Sequence, residues 1–218
     1  LPYHKRPTMP NIKNIIFDLC GPIITIDINL IDKRLHEFGI TDEHPYRTLY
    51  DCGLTKRFEA NEITTAVFCN ELRTIHQTDI SNEQICDAWN TLIVDFKCEH
   101  QLLFPKVHKH YRTFVLSNSD VVNAEYFTQY LNSEAGFDFV DQGFDEIFFS
   151  YKIGERKPNP KIFQHILAKH NLNATETLFI DDCEKHCLGA KEVGLNTIWL
   201  RKHRDICELF NDNGTLKQ

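Results

Sequence analysis

The sequence predicts an α/β fold: a parallel sheet covered by helices on both faces, interrupted by an inserted all-helical block. Three observations predict it. Short apolar runs, such as Ile15-Ile16-Phe17 and Thr177-Leu178-Phe179-Ile180, alternate with helical patterns of about 10–15 residues, the rhythm of a parallel sheet. Between about Ile26 and Phe96 the spacing is helical throughout and no convincing strand occurs. Finally, three of the apolar runs end in polar side chains, and in open α/β sheets ligands bind beyond the carboxyl ends of the strands.

The elements follow in order. Residues 1–8 (Leu-Pro-Tyr-His-Lys-Arg-Pro-Thr) read as an extension ahead of the folded unit. Residues 9–25 and 100–218 form the sheet core, with a first strand from Lys13 to Phe17 and a Gly21-Pro22 turn after it. Residues 26–99 form the helical block. In it Ile31, Leu35 and Phe38 share one helical face, and Phe68, Leu72 and Ile75 another. Ser81 followed by Gln84 is a capping-box start for a helix through Ala88, Trp89 and Leu92. Pro105 predicts a break or a late start in a helix otherwise spanning Glu99–Tyr111. Strands are then expected at Thr113–Leu116, Glu146–Ser150, Thr177–Ile180 and Asn196–Leu200. The intervening helices are expected around Val122–Leu131, from Asn159 to His170, and as a short one ending near Val193.

Composition narrows the function. The chain has 218 residues, enough for one core with an insertion, and its 42% hydrophobic and 25% charged residues are ordinary for a globular protein in water. A formal charge of -7 with no basic stripe argues against nucleic acid as a partner. No apolar run approaches the ~20 residues that span a bilayer, and no secretory pattern is present, so a cytoplasmic protein with no membrane partner is expected. Eight irregularly spaced cysteines are expected to be reduced and mostly packed. Cys183 and Cys187 flank His186, but no second Cys/His pair at zinc spacing accompanies them.

The chemistry-bearing residues are Asp18, Ser117 and the pair Asp181-Asp182, each at a predicted strand end, with Lys157 in the loop Gly154-Glu155-Arg156-Lys157-Pro158. Taken singly they are unremarked: a strand-end Asp forms turns, Ser-Asn caps helices, a loop Lys is solvated, and paired Asp residues open helices. Taken together, the segments IIFDLCG, FVLSNS, GERKPNPKIF and LFIDDCEKHCLGAKEVGLNTIWL resemble the haloacid dehalogenase-like (HAD) hydrolase superfamily, whose members are mostly phosphatases. The resemblance covers roughly two thirds of the chain, and the helical block stands where that family has its cap over a Rossmann-like core. The FDL, LSN, RKP and DD elements are most similar to the helical-cap phosphatase branch that includes bacterial α-D-glucose-1-phosphate phosphatase.

The resemblance implies a Mg2+-dependent phosphomonoester hydrolase acting on a small phosphorylated metabolite. Asp18 would attack phosphorus, Ser117 and Lys157 would hold the transferring group, and Asn118 would join them in binding substrate. Asp18, the backbone carbonyl of Cys20 and Asp182 would hold the metal, with Asp181 in support. A phosphate dianion repels an approaching carboxylate, so a cation is needed to hold both. The chain is expected to act as a monomer or a homodimer.

Cys20 departs from the family pattern, in which a second aspartate two residues after the nucleophile protonates the leaving alcohol. That assistance is typically worth roughly 10²–10⁴-fold. Three readings stay open: a phosphatase for esters that need little protonation, such as a sugar 1-phosphate; a metal-independent dehalogenase-type hydrolase; and a catalytically silent binding or regulatory protein. The retained Asp181-Asp182 pair favours a metal site over dehalogenation. His186 stands where many relatives have asparagine, and can donate to the metal-site carboxylates or supply a proton. Asp27, Asn29, Glu59 and Asn61 are further polar positions in the cap, read first as helix caps.

Overall fold

Ile15, Ile16 and Phe17 have no exposed surface, and their side chains alternate between two apolar clusters on opposite faces of a sheet. Burial on both faces is what a central parallel strand requires. In the computed structural model, which describes residues 11–134, 142–201 and 203–217, this strand (β1, Asn14–Phe17) is the middle of five. The expected extension at residues 1–8 lies outside the described residues.

The chain leaves β1 and returns in β4 (Arg112–Ser117), which pairs with β1 in parallel from Asn14 opposite Arg112 to Phe17 opposite Val115. β5 (Glu146–Phe149) adds outside β4. The chain then crosses to the other side of β1, where β6 (Thr177–Asp181) and β7 (Asn196–Trp199) complete the order β5-β4-β1-β6-β7. This reversal of direction is a topological switch point, and it opens a crevice at the carboxyl ends of β4, β1 and β6. The result is the predicted Rossmann-like sheet.

Helices cover both faces. On one, Ile162, Phe163 and Ile166 of a helix at Pro160–His170 pack with Ile16, Phe114, Leu116 and Phe179. On the other, Phe104 and Val107 of a helix at Cys98–His108 join Phe17, Val115 and Ile180. Pro105 lies inside the second helix rather than breaking it, contrary to the sequence expectation. The missing N–H deprives only the Gln101 carbonyl, on a half-exposed turn that water can reach, while Leu103, Phe104 and Val107 are buried around it.

Numbered in chain order, the insertion holds α1 (Asn29–Glu37), α2 (Pro45–Asp51), α3 (Leu54–Glu59), α4 (Thr65–His76) and α5 (Asn82–Asn90). The core helices are α6 (Cys98–His108), α7 (Val121–Gln129), the short α8 (Ser150–Ile153), α9 (Pro160–His170) and α10 (Glu184–Glu192). The capping box expected at Ser81 is present, with both reciprocal hydrogen bonds made by Ser81 and Gln84. The insertion is not wholly helical, however. A strand β3 (Ile93–Asp95) runs antiparallel to β2 (Thr25–Ile26), and the Asp27 amide donates to the Leu92 carbonyl at 2.9 Å. This ribbon forms the neck of the insertion. At three residues it is too short to show a period of two in the sequence.

Candidate active site

Three neighbouring strands deliver three side chains to one place. The Asp18 amide continues the ladder by donating to the Ile180 carbonyl at 2.9 Å, so Asp18 directly follows the end of β1, between Ser117 at the end of β4 and Asp181 at the end of β6. Lys157, from the loop between α8 and α9, enters between them with 0% of its surface exposed. Its ammonium lies 2.7 Å from Asp18 Oδ1 and 2.9 Å from Asp181 Oδ2, and donates to the Leu116 carbonyl at 2.9 Å. A buried lysine keeps its charge only when paired this way, and the two carboxylates raise its pKa despite the opposing effect of burial.

The carboxylates differ in their support. Asp181 has its Oδ1 accepting from the Cys183 amide at 2.7 Å, and both oxygens within 3.1 Å of His186 Nδ1. Burial pushes its pKa up, but Lys157 and His186 pull it well below the usual carboxylate range. Asp18 Oδ1 accepts from the Leu19 amide at 2.7 Å. Burial and the neighbouring Asp181 nonetheless push Asp18 well above the ordinary value, against the pull of Lys157. Asp182 is exposed at the mouth, with its carbonyl accepting from Trp199 Nε1 at 2.9 Å.

Each of Asp18, Asp181 and Asp182 offers an oxygen within 4.8 Å of the other two. One lysine faces three carboxylates at this separation, and burial first, then Asp181 and Asp182, keep the pKa of Asp18 raised against it. An oxygen-rich group of that size, partly open to water, fits Mg2+, which takes one or two carboxylates and keeps several waters. Gly21 makes room for it: at φ +103°, a Cβ there would stand 2.3 Å from Asp182 Oδ2. Gly189 on α10 plays a similar part behind Lys157, since a Cβ would meet the Pro158 carbonyl oxygen at 2.0 Å.

Ser117 Oγ is buried without a hydrogen-bond partner of normal geometry, the state of a donor awaiting an acceptor. The Asn118 side chain has a task separate from the substrate contact expected at this position. Its side chain accepts from the Lys157 amide at 2.8 Å and donates to the Lys157 carbonyl at 3.0 Å, so it ties the two loops together. Burial first, and then the charge of Asp18, drive the Cys20 thiol well above its ordinary pKa.

His186 Nδ1 faces Asp181, matching the carboxylate-supporting reading. Asp27 accepts from the Asn29 amide at 3.0 Å in a local turn one residue ahead of the N-cap Ile28. Asn61 sits in a turn at φ 56°. Glu59 ends α3 rather than starting a helix, and its carboxylate meets Arg156. That pairing was not foreseen, because 97 positions separate the two residues. All eight cysteines are free, with Cys52 and Cys98 exposed. Among the described residues no helix is long and apolar enough to cross a membrane.

The comparison with known proteins agrees with this geometry. Residues 103–194 match the haloacid dehalogenase-like hydrolase family. Over 187 residues the chain is 25% identical to a D-ribitol-5-phosphate phosphatase of Bacteroides thetaiotaomicron, covering 85% of this chain and 90% of that one. A glyceraldehyde 3-phosphate phosphatase of Pyrococcus abyssi is 36% identical over 63 residues, 28% of this chain and 26% of that one. Among solved structures, a HAD family enzyme of Bacteroides thetaiotaomicron superposes with a TM-score of 0.82 at 27% identity, over 92% of this chain and 99% of that one. The same enzyme in complex with magnesium and inorganic phosphate gives a TM-score of 0.79, over 92% of this chain and 100% of that one.

Proposed function

We propose that this chain, which belongs to the haloacid dehalogenase-like hydrolases, is a Mg2+-dependent phosphomonoester hydrolase of small sugar or polyol phosphates, with Asp18 as its nucleophile. The observation that carries the reading is the buried Lys157 bridging Asp18 and Asp181, with Asp182 within 4.8 Å at the mouth. The relatives named as phosphatases of ribitol 5-phosphate and glyceraldehyde 3-phosphate support the substrate class.

Asp18, the Cys20 carbonyl and Asp182 would hold the ion, with Asp181 fixed behind them by Lys157, His186 and the Cys183 amide. When bound, Mg2+ supplies positive charge that lets an anionic ester approach an anionic carboxylate. Lys157 and the Leu19 amide both contact Asp18 Oδ1, which orients the carboxylate and leaves Oδ2 for attack on phosphorus. The new bond joins Asp18 to phosphorus as the ester oxygen leaves with its electron pair, and water then cleaves the acyl phosphate to return Asp18 and release phosphate. The unpartnered Ser117 Oγ donates to a phosphoryl oxygen, as does the Asn118 amide. Asn118 thus serves through its backbone, while its side chain aligns Lys157.

Residues 27–92 act as a cap, excluding water and selecting the leaving group. Cys20 stands where the family's usual carboxylic acid would protonate that group, so esters whose leaving oxygen needs little protonation, such as a sugar 1-phosphate, are favoured. Cys20 is also the observation favouring a second reading, a silent binding protein. A screen of sugar and polyol phosphates with Mg2+, using Asp18→Asn as the blank, decides between them. Phosphate release abolished by chelator and by Asp18→Asn supports the enzyme. Binding without turnover supports the silent protein.

A further inference from the structure

The inserted helices touch the core at a distinctive set of points. On α3, Glu59 accepts from Arg156 Nε at 2.7 Å, and Arg156 immediately precedes Lys157. The two side chains are only 14% and 21% exposed, so the pair is screened weakly by solvent. The Glu59 carbonyl accepts from Ser150 Oγ at 2.7 Å, and the same hydroxyl oxygen accepts from the Ser119 amide at 2.9 Å. On α5, Trp89 Nε1 donates to Asp120 Oδ2 at 2.8 Å, while Asp120 Oδ1 caps α7 by accepting from the Asn123 amide at 3.0 Å. Trp89 is itself held by Tyr46 and Phe68, with ring centroids at 5.5 and 4.8 Å.

These contacts fall on Asp120 of the loop 117–120, on Ser150, which holds the Ser119 amide, and on Arg156 next to Lys157, so they bear on the two segments proposed to grip the phosphoryl group. Those segments are joined to one another by the reciprocal bonds between Asn118 and the Lys157 backbone. Two helices of the insertion therefore press on a single hydrogen-bonded unit that ends in the Lys157 ammonium and the Ser117 hydroxyl. Simple shielding of the site from water would need apolar contact only. Buried polar pairs are instead directional, and breaking one partner leaves the other uncompensated.

We infer that Glu59 and Arg156 are positioning residues, which transmit the seating of the inserted helices to the Lys157 and Ser117 grip. Trp89 and Asp120 are the second point of the same coupling. The inference rests on the phosphatase reading for its kinetic consequence, but not for its structural one. With the pair intact, the backbone at Lys157 is tied to Glu59 through the adjacent Arg156 and to Asn118 through two direct hydrogen bonds. With the pair broken, the backbone at residues 154–158 is free to relax, and small displacements of positioned groups can cost on the order of 10²-fold in rate.

The test uses the full chain with Mg2+ and p-nitrophenyl phosphate, a probe whose leaving group needs no proton. Glu59→Gln and Arg156→Gln are each expected to lower kcat roughly 10- to 100-fold with KM little changed. The double variant is expected to be no worse than either single one, and the reversed pair Glu59→Arg/Arg156→Glu to recover part of the loss. Additive losses, or single variants with unaltered kcat, overturn the inference. Hydrogen exchange at residues 154–158 is read on the same variants. Faster exchange there in Glu59→Gln supports the coupling even if the unaltered protein turns over no ester, and unchanged exchange overturns it.

Discussion

Replacing Cys20 by aspartate is expected to create the missing proton donor. The thiol is buried beside Asp18 and its pKa is raised by burial, by Asp18 and by Asp182. A carboxyl group at the same position meets the same desolvation and the same two negative neighbours. One carboxylate about 5–6 Å away, at an effective dielectric of about 20, contributes roughly 3 kcal/mol. That raises a carboxyl from about 3.9 by about two units, before burial adds to it. Lys157 pulls the other way, as it does on the thiol, and the net effect expected is an introduced acid above the ordinary carboxylate range, from which it can deliver a proton to a departing alkoxide. General acids are worth roughly 10²–10⁴-fold, and an unoptimised one is expected near the lower end. Alkyl phosphates should gain roughly 10- to 100-fold in kcat, and p-nitrophenyl phosphate under about 5-fold, because its leaving group needs no proton. The assay is steady-state turnover of both classes with saturating Mg2+ across a pH series. For alkyl esters a new alkaline limb should appear, since activity is lost as pH rises through the pKa of the new acid. Equal gains in both classes, or a gain with no new limb, would refute the missing-acid explanation.

Lys157→Met leaves Asp18 and Asp181 buried without their shared cation and is expected to cost about 3–5 kcal/mol of stability, measured by urea unfolding; Mg2+ should restore part of it. Gly189→Ala drives a methyl group into the Pro158 carbonyl and should destabilise the fold by about 1–3 kcal/mol, visible in the same experiment. Burial raises the pKa of Asp205, but Lys97, the Cys207 amide and His100 together lower it. A carboxylate depressed in the folded state stabilises above its unfolded pKa of about 3.9 and loses that stabilisation as pH falls through the folded value. Asp205→Asn should therefore flatten the loss of stability below about pH 4 in acid titrations followed by circular dichroism, and an unchanged slope would contradict the pairing.

The parallel core was legible because buried strands are continuous apolar runs and their polar ends stand out against them. Asp18, Ser117, Asp181 and Lys157 converge as expected, since sheet topology fixes where adjacent strands end. The polar pairs behind the site were not legible. Asn118 reads in sequence as part of the substrate-binding loop, and nothing local signals that its side chain engages the backbone of Lys157, 39 positions away. Glu59 reads as a helix cap, yet its carboxylate is fixed by Arg156. Neither partner is signalled by local spacing, because each pairing depends on how the insertion folds back on the core. Pro105 shows the same limit from another side: a rule about helix interiors gave way to the burial of Phe104 and Val107.

Acid-quench mass spectrometry during turnover tests the role of Asp18 most directly. A sugar phosphate that the protein hydrolyses is mixed with enzyme and Mg2+, quenched within the first turnovers and digested. The account predicts one added phosphoryl group on the peptide carrying Asp18, absent from Asp18→Asn, which should also lose turnover. Sustained hydrolysis by Asp18→Asn, or a phosphoryl group found only on another residue, would contradict it.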